Sequence, residues 1–600
     1  MDNQNFRNMV LAGVITLAIF IGWDWGMKYL YPGADKRPVQ TASSAAPAPA
    51  ASGPAATRTR EGGLTSAAEQ ALEAKDLKTA LNPAVRVAIA APGLSGSINL
   101  VGGLVDDLTT NRHTATAEKR SEAQRIFSPA GTPAQYYTEF GWRRADGQPD
   151  PALPGPATQW TAPAGAKLTP QSPVTLTWTN PAGAQFALTY AIDEDYLITA
   201  TQSVANAGTA PLTVKPYALL NRTSKTASLD SWNVRSGPFG AFNDTVDFVP
   251  SYDDLEEQKS VINPGKPDWL GFTDIYWMTA LAPAAPGGTG EFWSLGGKLF
   301  QADVAYPVVN IAPGQKAERV TRLFAGAKEA VVLDKYEAAG IPNFGLAIDW
   351  GWFRWFEKPI FGLLSWLFQV AGNFGVAIIL LTVIVRAVMF PIAQRQFTSM
   401  AAMKAIQPKM KAVQERYKDD KPKQQQEIMA LYKQEGVNPL AGCLPIFLQI
   451  PIFFALYKVL ILSVEMRHQP FFGWITDLSA PDPLHILNLF GLLDFTPPSF
   501  LAIGILAVLL GVTMHFQFKL NPAQMDPAQQ QIFAMMPWLM MFIMAPFAAG
   551  LLLYWITSNV LTIAQQAYLY SKHPQLKAQA EAAVVEAKPA KSGSNGKAKA

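Results

Sequence analysis

Six hundred residues are too many for one hydrophobic core, and a net charge of only +3 gives the molecule no overall affinity for polyanions. Hydrophobic residues make up 49% and charged residues only 16%, against about 25% charged in typical soluble domains, which excludes a purely soluble chain. The single cysteine, Cys443, excludes an internal disulfide framework and a thiolate zinc site, and the five histidines (113, 468, 485, 515 and 573) lack close metal-ligand spacing, so no cofactor is expected.

Met9 to Trp23 carries no charge and follows Arg7. A cleaved signal peptide has an apolar stretch of this size, but the first A-x-A is distant, at Ala46-Pro47-Ala48. Residues 1–30 therefore read as an uncleaved membrane anchor. Residues 31–75 are rich in Ala, Pro, Ser and Thr, with too little apolar side chain for a core, and read as a flexible tether.

Residues 76–340 change character. Val174 to Trp178 alternates strictly, as do Phe186, Leu188, Tyr190 and Ile192. Asp193-Glu-Asp195 then turns the chain into Tyr196, Ile198 and Ala200, and Asn206-Ala-Gly208 marks the next turn. Period-2 alternation between turn clusters predicts half-buried antiparallel strands in a large β-sandwich, with no comparable amphipathic helix before Lys328–Ala339. Residues 341–372 then mix Trp350, Trp352, Phe353, Trp355 and Phe356 with Arg354 and Lys358, which predicts an amphipathic helix at a water–lipid boundary.

Five apolar spans follow, at Phe374–Pro391, Leu440–Leu462, Phe500–Phe518, Ile532–Ala549 and Gly550–Leu569. Each is near the roughly 20 residues that cross a bilayer, and the anchor makes six. Segment 392–437 carries nine Lys and Arg, segment 463–498 only Arg467, and the tail 571–600 six lysines. The positive-inside rule puts 392–437 and the tail in the cytoplasm, and parity then puts the β-domain outside and the N-terminus inside. Within 392–437, Met403, Ile406, Met410, Val413 and Tyr417 form one helical stripe, and Gln424–Glu435 returns with Ile428, Leu431 and Tyr432 inward, predicting a helical hairpin. The stripe fits packing between the two helices better than a partner.

Catalytic signatures fail on inspection. Gly93-Leu-Ser95-Gly96 fits G-x-S-G but lies in the β-region, and Gly296-Gly297-Lys298 lacks both the leading glycine and the following hydroxyl of a phosphate loop. No enzyme is expected. Arg386, by contrast, lies within an apolar span with Thr382 one turn before it. An arginine at a helix centre costs about 2.5–3.5 kcal/mol on insertion scales, so it faces a wet interior or snorkels to the cytoplasmic end. Gln449, Thr557, Ser558, Asn559, Gln565 and Gln566 in other spans favour a shared hydrophilic cavity over separate interhelical hydrogen bonds. Thirteen of 17 methionines lie between Met389 and Met544, suited to accepting varied apolar partners or to filling an irregular core.

Residues 374–570 resemble the YidC/Oxa/Alb family of membrane protein insertases. The matching text is Val385-Arg386 with Pro391 and Gln394, then Asn438 to Pro445, Gln449-Ile-Pro451-Ile-Phe453 and Ala455-Leu-Tyr457. It continues through Ser463-Val-Glu465, Trp474-Ile-Thr-Asp-Leu478, Pro537, Pro546, Gly550, Tyr554 and Ser558-Asn559. Gly96-Ser-Ile98, Asp106-Asp-Leu108, Glu139 to Trp142, Trp269-Leu-Gly and Tyr276-Trp277 resemble the large periplasmic domain of the Gram-negative members.

The resemblance implies a polytopic α-helical membrane protein with six transmembrane helices: the anchor and a five-helix insertase core at 373–570. It adds a periplasmic β-supersandwich of the sugar-mutarotase type. It implies a groove open to cytoplasm and lipid, containing Arg386 and Thr382. A client-contacting tyrosine of the family falls at Trp555, directly after Tyr554; Gln449, Met540 and Met544 complete the expected groove, and Met400, Met403 and Met410 the expected hairpin contacts. The implied activity is insertion and chaperoning of bacterial inner-membrane proteins, alone or with the Sec translocon. Nascent membrane proteins and the lipid bilayer are the expected partners; the basic tail suits a ribosome, anionic lipid, or a purely solubilising and topogenic role equally. The alternative is a secondary transporter with a mid-membrane polar site, although no internal repeat is visible.

Overall fold

The structure is a computed structural model. It describes residues 60–118, 120–146, 150–229, 234–243, 245–248, 250–263, 265–350, 354–418, 420–436, 444–493, 501–520 and 527–572. Side chains of 395–405, 407–408, 411, 421, 444–448, 491, 520, 527–533, 570 and 572 fall outside that description. The expected anchor, most of the tether and nearly all of the basic tail therefore lie outside the described residues.

Two sheets, antiparallel except for one short edge strand, form the β-domain. The larger has eleven strands. Its central path runs from Ser260–Asn263 through Thr289–Gly296, Leu299–Ala305, Leu212–Thr223 and Tyr136–Arg143 to Val105–Thr114, Leu94–Asn99, Arg86–Ala90 and the short parallel Lys167–Leu168. The second has eight strands. It runs from Thr245–Asp247 through Gly237–Phe242, Pro267–Thr273, Trp277–Pro283, Lys316–Ala327 and Leu197–Asn206 to Ala184–Ile192 and Val174–Thr179.

The predicted alternation is realised where it was clearest. Val174–Thr179 pairs with Ala184–Ile192, which pairs with Leu197–Asn206, and the even residues Phe186, Leu188 and Tyr190 are wholly buried. At the turn between the last two strands, the Asp193 carboxylate accepts from the backbone N–H of Asp195 and of Leu197 at 2.9 and 3.0 Å. Aromatic side chains from the two sheets meet in the middle. Trp142 lies edge-on to Phe186 at 5.1 Å and Phe140 to Tyr190 at 5.9 Å, each such pair adding about 0.5–1.5 kcal/mol to its burial.

Helices α1 (Ala67–Ala80) and α2 (Tyr252–Gln258) were not expected. The first corrects the tether: residues 67–75 are helical, and Glu73 of α1 accepts from the N–H of Ala134 at 2.8 Å. The second starts on a capping box, in which Ser251 and Asp254 satisfy each other's backbone N–H. Helix α3 (Ala330–Ala338) is the predicted amphipathic one, burying Val332, Leu333 and Tyr336.

Helix α4 (Arg354–Ala371) follows, inside the 341–372 stretch expected to hold an amphipathic helix. One face buries Ile360, Phe361, Leu364 and Leu367, while Trp355, Trp366 and Val370 stand exposed on another. Then come α5 (Phe374–Ala405), α6 (Gln407–Arg416), α7 (Lys421–Gln434), α8 (Leu444–Leu462), α9 (Ile505–Leu520), α10 (Pro527–Met544) and α11 (Ala549–Lys572). Helix α11 packs on α5, α8 and α9, which makes it the centre of the bundle. Among the described residues, Phe374–Gln394 is the one helical stretch long and apolar enough to cross a bilayer by itself; Gln449–Leu462, Ile505–Lys519 and Ala534–Met544 are shorter apolar helices.

The hairpin differs from expectation in where it starts. Helix α5 runs uninterrupted past Pro391 to Ala405, so residues 392–405, with Met400 and Met403, extend the span and do not belong to the hairpin. The break comes at Ile406, because Pro408 has no N–H to continue the ladder and sits instead in the first turn of α6.

Candidate functional site

Arg386 lies about three turns into α5. Its Nε donates to Ser558 Oγ of α11 at 3.2 Å, and Nη2 donates to the same oxygen. A guanidinium has five N–H donors, and among the described residues the Ser558 hydroxyl is the one acceptor it meets, with no carboxylate paired to it. One turn before Ser558, Tyr554 is 2% exposed and its hydroxyl accepts from Gln449 Nε2 of α8 at 2.6 Å. Asn559 of α11 donates to Thr513 of α9 at 3.2 Å. Thus isolated polar residues of α5, α8 and α11 converge on one polar seam inside the apolar bundle, with Arg386 as its only charge among the groups named, while Asn559 and Thr513 pair on an adjoining face of α11.

Helical spacing produces this convergence. Tyr554 and Ser558 are four apart and share a face of α11, as Thr382 and Arg386 do on α5. Thr382 is buried, and its hydroxyl donates to its own helix at Ile378 O, 2.6 Å away. Trp555 faces elsewhere, its ring 5.2 Å from Phe453 of α8, which in turn stacks on Tyr457. Of the adjacent aromatic pair, Tyr554 therefore brings its hydroxyl to the seam and Trp555 packs on a neighbour.

The methionines separate. Met540 is half-buried against the core, whereas Met544 is 3% exposed and offers no open surface. Met410 accepts a hydrogen bond from Tyr432 at 3.2 Å across the hairpin, and Lys409 pairs with Glu435 at 2.5 Å. The side chains of Met400 and Met403 lie outside the described residues.

Comparison with known proteins decides the family. A relative from Zymomonas mobilis named membrane protein insertase YidC is 42% identical over 577 residues, covering 95% of this chain and 96% of that one. The chain belongs to the YidC membrane protein insertase family. A family profile described as 60Kd inner membrane protein matches residues 366–577, and one described as YidC periplasmic domain matches 86–363. The same name is borne by a relative from Rhizobium etli, 42% identical over 95% of this chain and 96% of its own. A crystal structure of an active YidC insertase with its first transmembrane domain resolved covers 80% of this chain and 92% of its own, at 18% identity and a TM-score of 0.34. Family membership makes the chain an inner-membrane protein with a periplasmic β-rich domain.

The site residues missed at the sequence level lie in the loop between α8 and α9. Arg467, Asp477 and Asp482 there are at most 8% exposed, and their partners are described below. A charged residue that is nearly fully buried in a loop is paired almost without exception. Only the single cation of segment 463–498 hinted at this.

Proposed function

We propose that this protein inserts and helps to fold inner-membrane proteins, with Arg386 receiving the polar external tail of the client. What carries the reading is that Arg386 sits in an apolar bundle hydrogen-bonded to Ser558 and paired with no carboxylate among the described residues. A structural arginine of this depth would ordinarily be neutralised by a fixed acid, because an uncompensated buried charge is costly. One left to a hydroxyl has donors free for a transient anion.

The physics of insertion needs little more. A client's polar tail must cross about 30 Å of hydrocarbon, where each charge is expensive. A hydrated seam that opens between α5, α8 and α11 shortens that path, and Arg386 attracts acidic groups into it. Gln449, Tyr554 and Ser558 offer hydrogen bonds to the tail's backbone. The client's apolar helix then leaves sideways into lipid, and its burial drives the step. Membrane potential assists an acidic tail by about 2.3 kcal/mol per charge per 100 mV. No covalent bond is made or broken.

The topology that goes with this reading has six spans. The anchor precedes the periplasmic domain, five helices make the core, and both termini and the hairpin α6–α7 lie in the cytoplasm. The hairpin meets clients or controls access to the seam. The resemblance to the family supports the Sec translocon as the partner for large clients, and the six lysines of the tail support the ribosome as a further partner.

Purified protein in energised liposomes should insert a single-span client with an acidic external tail, protecting that tail from added protease. Unprotected tails with well-folded protein would refute autonomous insertion.

A further inference from the structure

The polar seam works only if its helices are held in register, a requirement that rests on the reading of Arg386 just given. Three helices of the core begin at the periplasmic loop Arg467–Asp482, and that loop bonds to the start of each. At α5, Asn373 donates to Pro470 O at 3.3 Å. Phe471 presses so closely on Gly375 that a Cβ there would lie 2.0 Å from its ring. At α9, the Asp482 carboxylate accepts from the N–H of Leu506 at 2.8 Å, and its other oxygen accepts from Trp474 Nε1 at 3.1 Å. At α11, the N–H of Ala549 reaches Ala480 O at 2.8 Å and that of Gly550 reaches Leu478 O at 2.9 Å. The first N–H groups of a helix have no partner within it, so the bonds at α9 and α11, with the Asn373 side chain and Phe471 contact at α5, fix each helix along its own axis.

The loop is itself held rigid. Asp477, 8% exposed, accepts through one oxygen from the N–H of His468 at 3.2 Å and from the N–H and hydroxyl of Ser479 at 2.8 and 2.7 Å. Arg467 anchors it from outside, donating to Glu61 at 2.8 Å and to the carbonyls of Thr114 and Ala115 at 2.6 and 3.0 Å. Arg60 adds a bond to Ser479 O at 2.7 Å. The β-domain and the segment leading into it thus grip the same loop that starts the core helices.

We propose that the Arg467–Asp482 loop is a positioning device that sets the axial register of α5 against α11 and so places Ser558 beside Arg386. At 1.5 Å per residue, Arg386 lies roughly 18 Å along α5 and Ser558 roughly 14 Å along α11 from the loop, distances over which a helix behaves as a rod. Asp477 is its centre, and its acceptor geometry, not its charge, is what the loop requires.

The test places spin labels on exposed Val388 of α5 and Val560 of α11, in the full chain carrying Cys443→Ser, and reads the distance between them. The parent should give one narrow distribution. Asp477→Ala should broaden or shift it and lower insertion several-fold, while Asp477→Asn, which keeps the accepting oxygen, should preserve both. An unchanged distribution in Asp477→Ala would overturn the proposal whatever happens to insertion. Should that variant fail to accumulate, Ser479→Ala is read by the same two outcomes. If Arg386→Ala leaves insertion intact while Asp477→Ala still disturbs the distances, the role of Arg386 falls and the positioning role stands.

Discussion

Replacing Arg386 by Ala separates stability from activity in a way that can be worked from its surroundings. Two opposing terms decide stability. The substitution removes hydrogen bonds from a charged group to Ser558, worth about 1.5–3 kcal/mol, and relieves a buried charge that costs about 2.5–3.5 kcal/mol on insertion scales. The terms nearly cancel, so Arg386→Ala should accumulate and unfold much like the parent. Activity has no such compensation. A client carboxylate about 4 Å from the guanidinium gains about 4 kcal/mol at an effective dielectric constant of 20. Halving this for a hydrated seam leaves about 2 kcal/mol, or about thirtyfold in rate. The assay is the initial rate of tail protection in liposomes, for one client bearing two aspartates in its tail and for the same client with both changed to asparagine. The first should slow about thirtyfold with Arg386→Ala and the second far less. Arg386→Lys should retain most of the rate. Equal slowing of both clients would refute charge attraction, as would no slowing of either.

Other expectations concern stability. Asp274, 6% exposed, accepts from Arg222 at 2.6 Å and from Ser228 and Ser236, so Asp274→Ala strands a buried guanidinium and should cost about 3–5 kcal/mol in thermal unfolding of the purified protein. A loss below about 1 kcal/mol would show that the pair is not buried as described. Lys328 donates to Thr273 at 3.1 Å, and burial pushes its ammonium down to about 8 against the opposing pull of Asp274 and Asp349. Its folded pKa is thus below its unfolded one, so between about pH 8 and 10.5 the unfolded state binds more protons and stability gains from this group as pH rises. The difference in unfolding temperature between the parent and Lys328→Met should shrink across that window; a constant difference would contradict a shifted lysine. At Gly375, a Cβ would strike the ring of Phe471 at 2.0 Å, so Gly375→Val should lower both accumulation and insertion, and Phe471→Ala in the same chain should restore part of each. Absence of any such restoration would locate the clash elsewhere.

How far these features could be read from the chain depends on their range. The strands at 174–206 were visible because each residue's burial follows its own parity, as at Phe186, Leu188 and Tyr190. Arg386 was visible because it is a charge where none belongs, and Ser558, Gln449 and Tyr554 because they are polar in apolar text. Which of them meet was not, since the pairing of Arg386 with Ser558 depends on how α5 and α11 lie against each other. Helix α1 merged with the tether because both are rich in alanine and its pattern has little amphipathic contrast. The continuation of α5 to Ala405 was hidden by Pro391, which commonly ends a helix but here lies within one. The loop from Arg467 to Asp482 has no period at all, and the value of Asp477 and Asp482 lies in backbone N–H groups that every residue shares.

A lone fixed cation also discriminates by sign. The field that draws an aspartate-bearing segment toward Arg386 repels one bearing lysine or arginine by a similar amount. Segments rich in basic residues would then stay on the cytoplasmic face while acidic or neutral ones pass. Arg386, which has no acid partner among the described residues, would thus act as a sorter of orientation, helping to write the positive-inside bias into each client at the moment of its entry. Reversing the tail charge of a test client should convert protection into retention.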